Sequence, residues 1–266
     1  MASFSVVSNI SASNAQANLA VSNQGLQKAI NRLSSGLRIN SAGDDAAGLS
    51  VANTYRSQQA VLSQGIRNAN DGMSSLQIKD GAMQNISTLL DRLSTLATQS
   101  ASGASTVDRT QLDSEFQDVV SEIDREASVA GLADSTDFSV FVSNDGTDGK
   151  VTGTIGAADT TTLGIGSLDI SDSDGAADAV AAIATAVTSL GSAQGSIGAL
   201  QNRLTFAVSL ANSQVVSTRA AESRIRDANV AEEAANMTRF NILSQSGIAA
   251  LSQANQQSSS ILSLLR

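Results

Sequence analysis

The chain has no cysteine, no proline, no histidine and no tryptophan in its 266 residues. Without cysteine there is no disulfide framework, no thiol nucleophile and no cysteine–zinc site. Without histidine the commonest general base and the commonest transition-metal ligand are gone, and a zinc-protease motif cannot be written. Without proline no helix interior loses an N–H, so long unbroken helices are permitted. Aromatic residues are scarce at 3%, with one Tyr and six Phe. The 41% hydrophobic fraction must fill the interior with small and aliphatic side chains, which suits thin helix–helix interfaces. Positive charge is also short: 16 Lys and Arg face 25 Asp and Glu, a net charge of −9. That argues against nucleic acid as a partner, because phosphate binding needs a basic face. No run of 18 apolar residues occurs, so no membrane span is expected. The opening Met1-Ala2-Ser3-Phe4-Ser5 lacks a basic start and an apolar run, so no cleavable signal peptide is predicted.

What is present is helical periodicity at both ends. Val230, Ala234, Met237, Phe240, Leu243, Gly247, Leu251, Ala254, Ser258, Ile261 and Leu265 follow one another at steps of three or four. That is the spacing of a heptad seam, which seeks a partner helix along its length. Near the N-terminus Leu19, Ser22, Leu26, Ala29 and Leu33 form a matching piece. Residues 3–35 therefore read as a weakly amphipathic helix, with Gly36 as its C-cap and Leu37-Arg38-Ile39-Asn40 extended. Asp44-Asp45 offers an N-cap for a second helix reaching about Ser100. Its seam runs Leu62, Ile66, Ala69, Met73, Leu76, Asp80, Met83, Ser87, Leu90, Leu93, Ala97. Asp80 and Ser87 read as points of local solvent exposure. A helix of about 55 residues is roughly 80 Å long, more a bundle element than part of a sphere.

Ser102-Gly103 breaks this run, and Asp108 to Val129 resumes it with Leu112, Phe116, Val119 and Ile123 on one face until Gly131. Residues 137–173 change texture. Phe138, Val140 and Val142 alternate, Asn144-Asp145-Gly146 signals a turn, and Lys150 to Ile155 alternates again. One or two small β-hairpins are expected. Asp172 to Asp174 can cap a last helix, whose pattern from Ala176 shows no clear stop before the C-terminus. The fold class predicted is mainly α: a long antiparallel coiled-coil-like bundle built from the N- and C-terminal regions, with a small β-hairpin insert.

Few residues invite chemistry. The carboxylate pairs Asp44-Asp45 and Glu232-Glu233 lie in polar helical sequence and read as caps and ion-pair partners, since acid–base work needs a pocket that splits their pKa values. An EF-hand spacing ending at Gly146 or Gly175 would start at Phe141 or Ile170, neither of which is a ligand. Gly164-x-Gly166 lacks the third glycine of a dinucleotide loop. Glu222 with Arg226, and Arg224 with Asp227, have helical ion-pair spacing, as a solvated face or an intersubunit contact. No catalytic, metal or cofactor-binding residue is expected, and no cofactor.

Several stretches resemble bacterial flagellin. Leu26 to Ala52, which includes Arg32, Asn40, Asp44 and Asp45, is similar to the family's most recognisable segment. Arg67-Asn68-Ala69-Asn70-Asp71-Gly72-Met73-Ser74 resembles its RNANDGIS motif. Gly198 to Leu204 and Ala221 to Asp227, with Arg224, Arg226 and Asp227, resemble GALQNRL and AESRIRD. Ile242 to Gln245 and Ala254 to Leu265 fit the family's tail. The resemblance implies a structural subunit, not an enzyme, that polymerises into the extracellular flagellar filament for motility. It implies export through the flagellar secretion channel and assembly through the terminal helices, with Leu19, Leu26, Leu33, Met237, Phe240, Leu243, Leu251, Ile261 and Leu265 as the assembly seam. Residues 1–43 and 226–266 would form the inner core. Residues 44–225 would form a second helical domain with the β region near 137–173, and no large outer domain. The partners implied are further copies of the chain, an export chaperone, and filament cap and junction proteins. The alternative is a hook–filament junction protein. Arg92, Leu96 and Glu115 match receptor-contact positions of the family, but Thr95 stands where the family has Glu, which weakens innate immune receptor recognition.

Overall fold

The computed structural model describes residues 9–102, 108–143, 146 and 148–264, and the side chains among these up to residue 257. Among them are five helices and one two-stranded sheet: α1 (Ile10–Ser35), α2 (Ala46–Ala101), α3 (Arg109–Val129), β1 (Thr136–Phe141), β2 (Lys150–Ile155), α4 (Ser173–Arg226) and α5 (Val230–Leu264). The mainly α, long-helix architecture with a small hairpin is the one expected. The expected start of α1 at residue 3, the residues around Gly103, Asn144-Asp145 of the turn, and Leu265 lie outside the described residues.

The helix ends follow local chemistry. Asn9 caps α1 by accepting from Ala12 N–H at 3.0 Å. Gly36 closes it in the left-handed conformation at φ 72°, its N–H on Arg32 O, a geometry that costs glycine little. Asp45 caps α2 through Gly48 N–H at 2.8 Å, Asp108 caps α3 through Thr110 N–H, and Asp172 caps α4 through Gly175 N–H. The C-terminal pattern does not run unbroken. It stops at Arg226, and α5 starts at Val230, with Asn229 accepting from Ala231 N–H. No proline or glycine marks this break; an aspartate and an asparagine side chain make it. The Asp227 carboxylate accepts the Ser223 hydroxyl at 2.5 Å, and Asn229 supplies the new cap.

The chain divides into two compact units, residues 1–57 with 218–266, and residues 58–217. Packing thus groups the first turns of α2 and the last turns of α4 with the terminal helices.

The core of the 58–217 unit is a set of heptad stripes. On α4 it runs Ala176, Ala179, Ile183, Ala186, Leu190, Ala193, Ile197, Leu200, Leu204, Ala211. On α3 it runs Leu112, Phe116, Val120, Ile123, Ala127, so Val120 takes the buried place expected of Val119. On α2 Leu62, Ala69, Leu76, Met83, Leu90, Leu93 and Ala97 are buried. Asp80 and Ser87 are half-buried. Gly65, Gly72 and Ile86 are buried on this stripe, while Ile66 and Met73 are half-buried. By length and composition α4 is apolar enough to cross a bilayer, with an 18-residue window of mean hydropathy 1.3. Its apolar residues at heptad spacing belong to the bundle core.

One antiparallel hairpin forms, with Phe138 opposite Gly153 and Val140 opposite Val151. It lies close on the helices because glycine makes room. A methyl at Gly65 would fall 1.8 Å from Val142 O, and one at Gly72 2.8 Å from Val140 Cγ2. The second hairpin is absent among the described residues. In its place residues 156–172 form a turn-rich strap held to α3. Asp124 accepts from the Thr160 N–H and hydroxyl, each at 2.9 Å. Asp113 accepts from Ile170 N–H, and Gln117 donates to Leu168 O.

Candidate functional site

The terminal helices α1 and α5 pack against each other. Their contacts run antiparallel. Asn9 donates to Ala254 O at 2.9 Å. Leu19 lies against Gly247. The Ser244 hydroxyl meets Asn23 at 2.9 Å. The Phe240 ring covers Gly25, where a methyl would stand 2.6 Å from the ring. Arg32 pairs with Glu233 at 2.9 Å. The inner line of α1 is Ala12, Ala15, Leu19, Ser22, Leu26, Ala29 and Leu33, all at least half-buried. That of α5 is Glu233, Met237, Phe240, Ser244, Gly247, Leu251 and Ala254. Leu243 and Val230, expected on this line, are 45% and 59% exposed. The helix phase carries the line through Ser244 and Glu233 instead. Ile261 is on α5 with its side chain undescribed, and Leu265 lies outside the described residues.

This interface is thin. Within α1 only Ala29 is fully buried, so each helix keeps apolar surface uncovered: Ile10, Val21 and Ile30 on α1, and Val230, Ile242, Leu243 and Ile248 on α5. The charged contact inside it is unusual. Glu233 is 8% exposed, and Arg32 Nε is a buried donor with no hydrogen-bond partner among the described residues. Such a pair costs desolvation that its attraction only partly returns, and removing one partner costs more than removing both.

At the lower end of the pair the two inter-helix linkers bond to each other. Leu37 and Asp227 form an antiparallel bridge. Arg38 N–H donates to Arg226 O at 2.6 Å, and Ala228 N–H to Gly36 O at 2.9 Å. The Arg38 guanidinium donates to Ile225 O at 2.8 Å, and Arg226 Nε to Ile39 O at 3.4 Å. Arg226 also lies 3.9 Å from Glu222. Asp227 bonds Ser223 where sequence spacing paired it with the exposed Arg224. Asp44 accepts from Asn40 N–H, Ser41 N–H and the Ser41 hydroxyl and pairs with Lys28 at 2.8 Å. The Lys28 ammonium, helped by the Ser41 and Asn40 donors and opposed by burial, holds its carboxyl well below the usual carboxylate range.

The remaining motif residues are spread along α2 and α3. Arg67 donates to Gln64, and Asn68 donates to Phe141 O at 3.2 Å, tying α2 to the hairpin. Asn70 and Asp71 are exposed. Arg92 donates to Glu115 at 3.1 Å. Leu96 is 1% exposed, inside the core, so its side chain offers nothing to an outside partner. Sequence reasoning missed Gly25 and Gly247 as seats for Phe240 and Leu19. The signal was there: each glycine sits mid-helix, where it costs about 1 kcal/mol unless something needs the space.

Among the described residues no three acidic side chains converge on a point that would hold a metal. Two terminal helices packed antiparallel along their length, each with apolar surface uncovered, define a mainly α-helical protein with a helix pair open to further packing. The family model for the bacterial flagellin N-terminal helical region matches residues 6–139, and that for the C-terminal helical region matches residues 180–265. The chain belongs to the bacterial flagellin family. It is 38% identical to a flagellin of Halalkalibacterium halodurans over 97% of this chain and 98% of that one. It is 37% identical to the flagellar filament 33 kDa core protein of Treponema phagedenis, with the same coverage of each. A crystal structure of Bacillus cereus flagellin, 30% identical, aligns with 59% of this chain and 94% of that one at a TM-score of 0.48.

Proposed function

We propose that this chain is a flagellar filament subunit whose polymerisation element is the α1–α5 pair. The observation that carries the reading is the apolar surface the pair leaves in water. Ile242, Leu243 and Ile248 on α5 and Ile10 and Val21 on α1 are each 45% exposed or more. Isolated exposed aliphatics are ordinary, but here they recur along helices that have little core of their own. Burial among copies offsets the entropy of ordering such helices. A heterologous contact that does not close on itself grows into a helical filament. Family likeness adds export through the flagellar secretion channel to an extracellular filament. It also adds the chaperone, cap and junction proteins as partners. The Halalkalibacterium and Treponema relatives align over nearly their whole length and bear flagellin or filament-core names, which favours the filament subunit over a hook–filament junction protein.

The test replaces Ile242, Leu243 and Ile248 by Ser together. These side chains touch little within the chain, so the unfolding midpoint of the monomer should stay close to the parent's. Seeded filament growth, followed by light scattering and electron microscopy, should be lost. Growth at the parent rate would refute the role given to this surface.

A further inference from the structure

We propose that Arg219, Arg224 and Arg239 form a cationic docking surface for the 58–217 unit of a second copy of the chain, with Asp71 of that copy among its carboxylate partners; this rests on the filament-subunit reading. Charge is divided unevenly along the chain. Residues 58–217 carry 19 Asp and Glu against seven Lys and Arg, whereas the terminal unit carries six against nine. The acidic unit has no cation to spare. Each of its seven donates within the chain or, for Lys150, stands over the Phe141 ring. In the terminal unit Lys28, Arg32, Arg38, Arg56 and Arg226 are likewise engaged. Arg219, Arg224 and Arg239 are exposed and have no partner among the described residues. Surplus cations and surplus carboxylates thus lie on different units, and a second copy can bring them together.

Two further observations favour a second copy. Arg239 lies three and four residues before Ile242 and Leu243, on the same side of α5, where those side chains are 58% and 45% exposed. A cation beside uncovered aliphatics has the composition of a protein interface, in which arginine is enriched around an apolar centre. The outer face of α2 offers the complement. Asp71 is exposed without a partner among the described residues, and Ile78, two turns on along the same face, is 68% exposed. A carboxylate beside an aliphatic thus meets a guanidinium beside an aliphatic. Arginine suits this contact, since its planar fork takes a carboxylate with two hydrogen bonds and is less hydrated than an ammonium. The charge division also sets direction. Two acidic units repel each other, while unlike units attract. Attraction between unlike surfaces is heterologous, so copies add head to tail.

The test follows seeded growth of the full chain by light scattering at about 20 mM and about 500 mM NaCl, the second of which screens all but the closest charges. Arg219→Gln/Arg224→Gln/Arg239→Gln should slow growth about tenfold in low salt and about twofold in high salt. The urea midpoint of the unassembled variant should match the parent's, because none of the three has a partner to lose. Arg219→Glu/Arg224→Glu/Arg239→Glu should slow growth further, and adding Asp71→Arg to that background should restore about fivefold. Asp91→Arg changes net charge equally but stands twenty residues along α2 from Asp71, about 30 Å away, and should restore nothing. Growth of the glutamine variant at the parent rate would overturn the proposal, as would a deficit that high salt leaves unchanged. Restoration by neither Asp71→Arg nor Asp91→Arg, or by both equally, would overturn it too. A parent chain that fails to extend seeds refutes the filament reading and the docking surface with it. A parent that grows beside an equally fast glutamine variant refutes the docking surface alone.

Discussion

Gly65 and Gly81 lie on the same helix, yet the same change to alanine should move stability in opposite directions. At Gly65 the new methyl would sit 1.8 Å from the Val142 carbonyl oxygen and 2.5 Å from its carbon. Both are backbone atoms, so no rotamer change relieves the contact, and the end of β1 must lift from α2. Lifting it exposes Val142, which is 4% exposed in the native packing. It also breaks the Asn68 to Phe141 hydrogen bond. Overpacking costs about 1–3 kcal/mol, and uncovering a valine adds about 1.5 kcal/mol. The better helix propensity of alanine returns about 1 kcal/mol. A net loss of about 2 kcal/mol is expected for Gly65→Ala. At Gly81 an added methyl meets nothing within 4 Å, so only the propensity gain remains, about 0.5–1 kcal/mol. Urea unfolding followed by circular dichroism should place the Gly65→Ala midpoint below the parent and the Gly81→Ala midpoint above it. A Gly65→Ala midpoint at or above the parent would refute the direct seating of the hairpin on α2.

Phe116 is fully buried on α3, and Phe116→Ala should cost about 3–5 kcal/mol, read as a lowered urea midpoint with retained solubility. Asp44 carries a pH signature. Its folded carboxyl lies below its unfolded value of about 3.9, so its contribution is fully present above that value and is lost as pH falls through the folded pKa. Asp44→Asn should therefore destabilise the α1–α2 junction at neutral pH, and its deficit against the parent should begin to shrink below about pH 4. Amide exchange of residues 40–49 across pH measures this, and a deficit that widened on acidification would contradict the sign.

The helices were legible because their cause is local. Periodicity, the Gly36 cap and the aspartates at 45, 108 and 172 all act within a turn or two. The phase of each face was less legible. Sequence put Leu243 and Val119 on buried lines because they are apolar. Packing instead chose their neighbours Ser244 and Val120, since the stripe is set by the partner helix and not by hydrophobicity alone. The break at residues 227–229 was hidden for a related reason. Its local cue is only two common polar side chains, Asp227 and Asn229, and the backbone bonds that hold it reach residues 36–38, nearly 190 residues away in sequence. The candidate site was visible as a pair of seams, but its interlocks were not. A mid-helix glycine such as Gly25 reads as a weak helix former until the ring of Phe240 is seen to occupy the missing side chain's place.

Polymerisation through the terminal helices is tested by electron microscopy of the purified full chain with short filament seeds, beside a version lacking residues 1–36 and 230–266. Long filaments from the full chain and none from the shortened one, with the 58–217 unit still folded by circular dichroism, are the expected result. Unextended seeds with a folded full-length chain, or filaments from the shortened chain, would contradict the account.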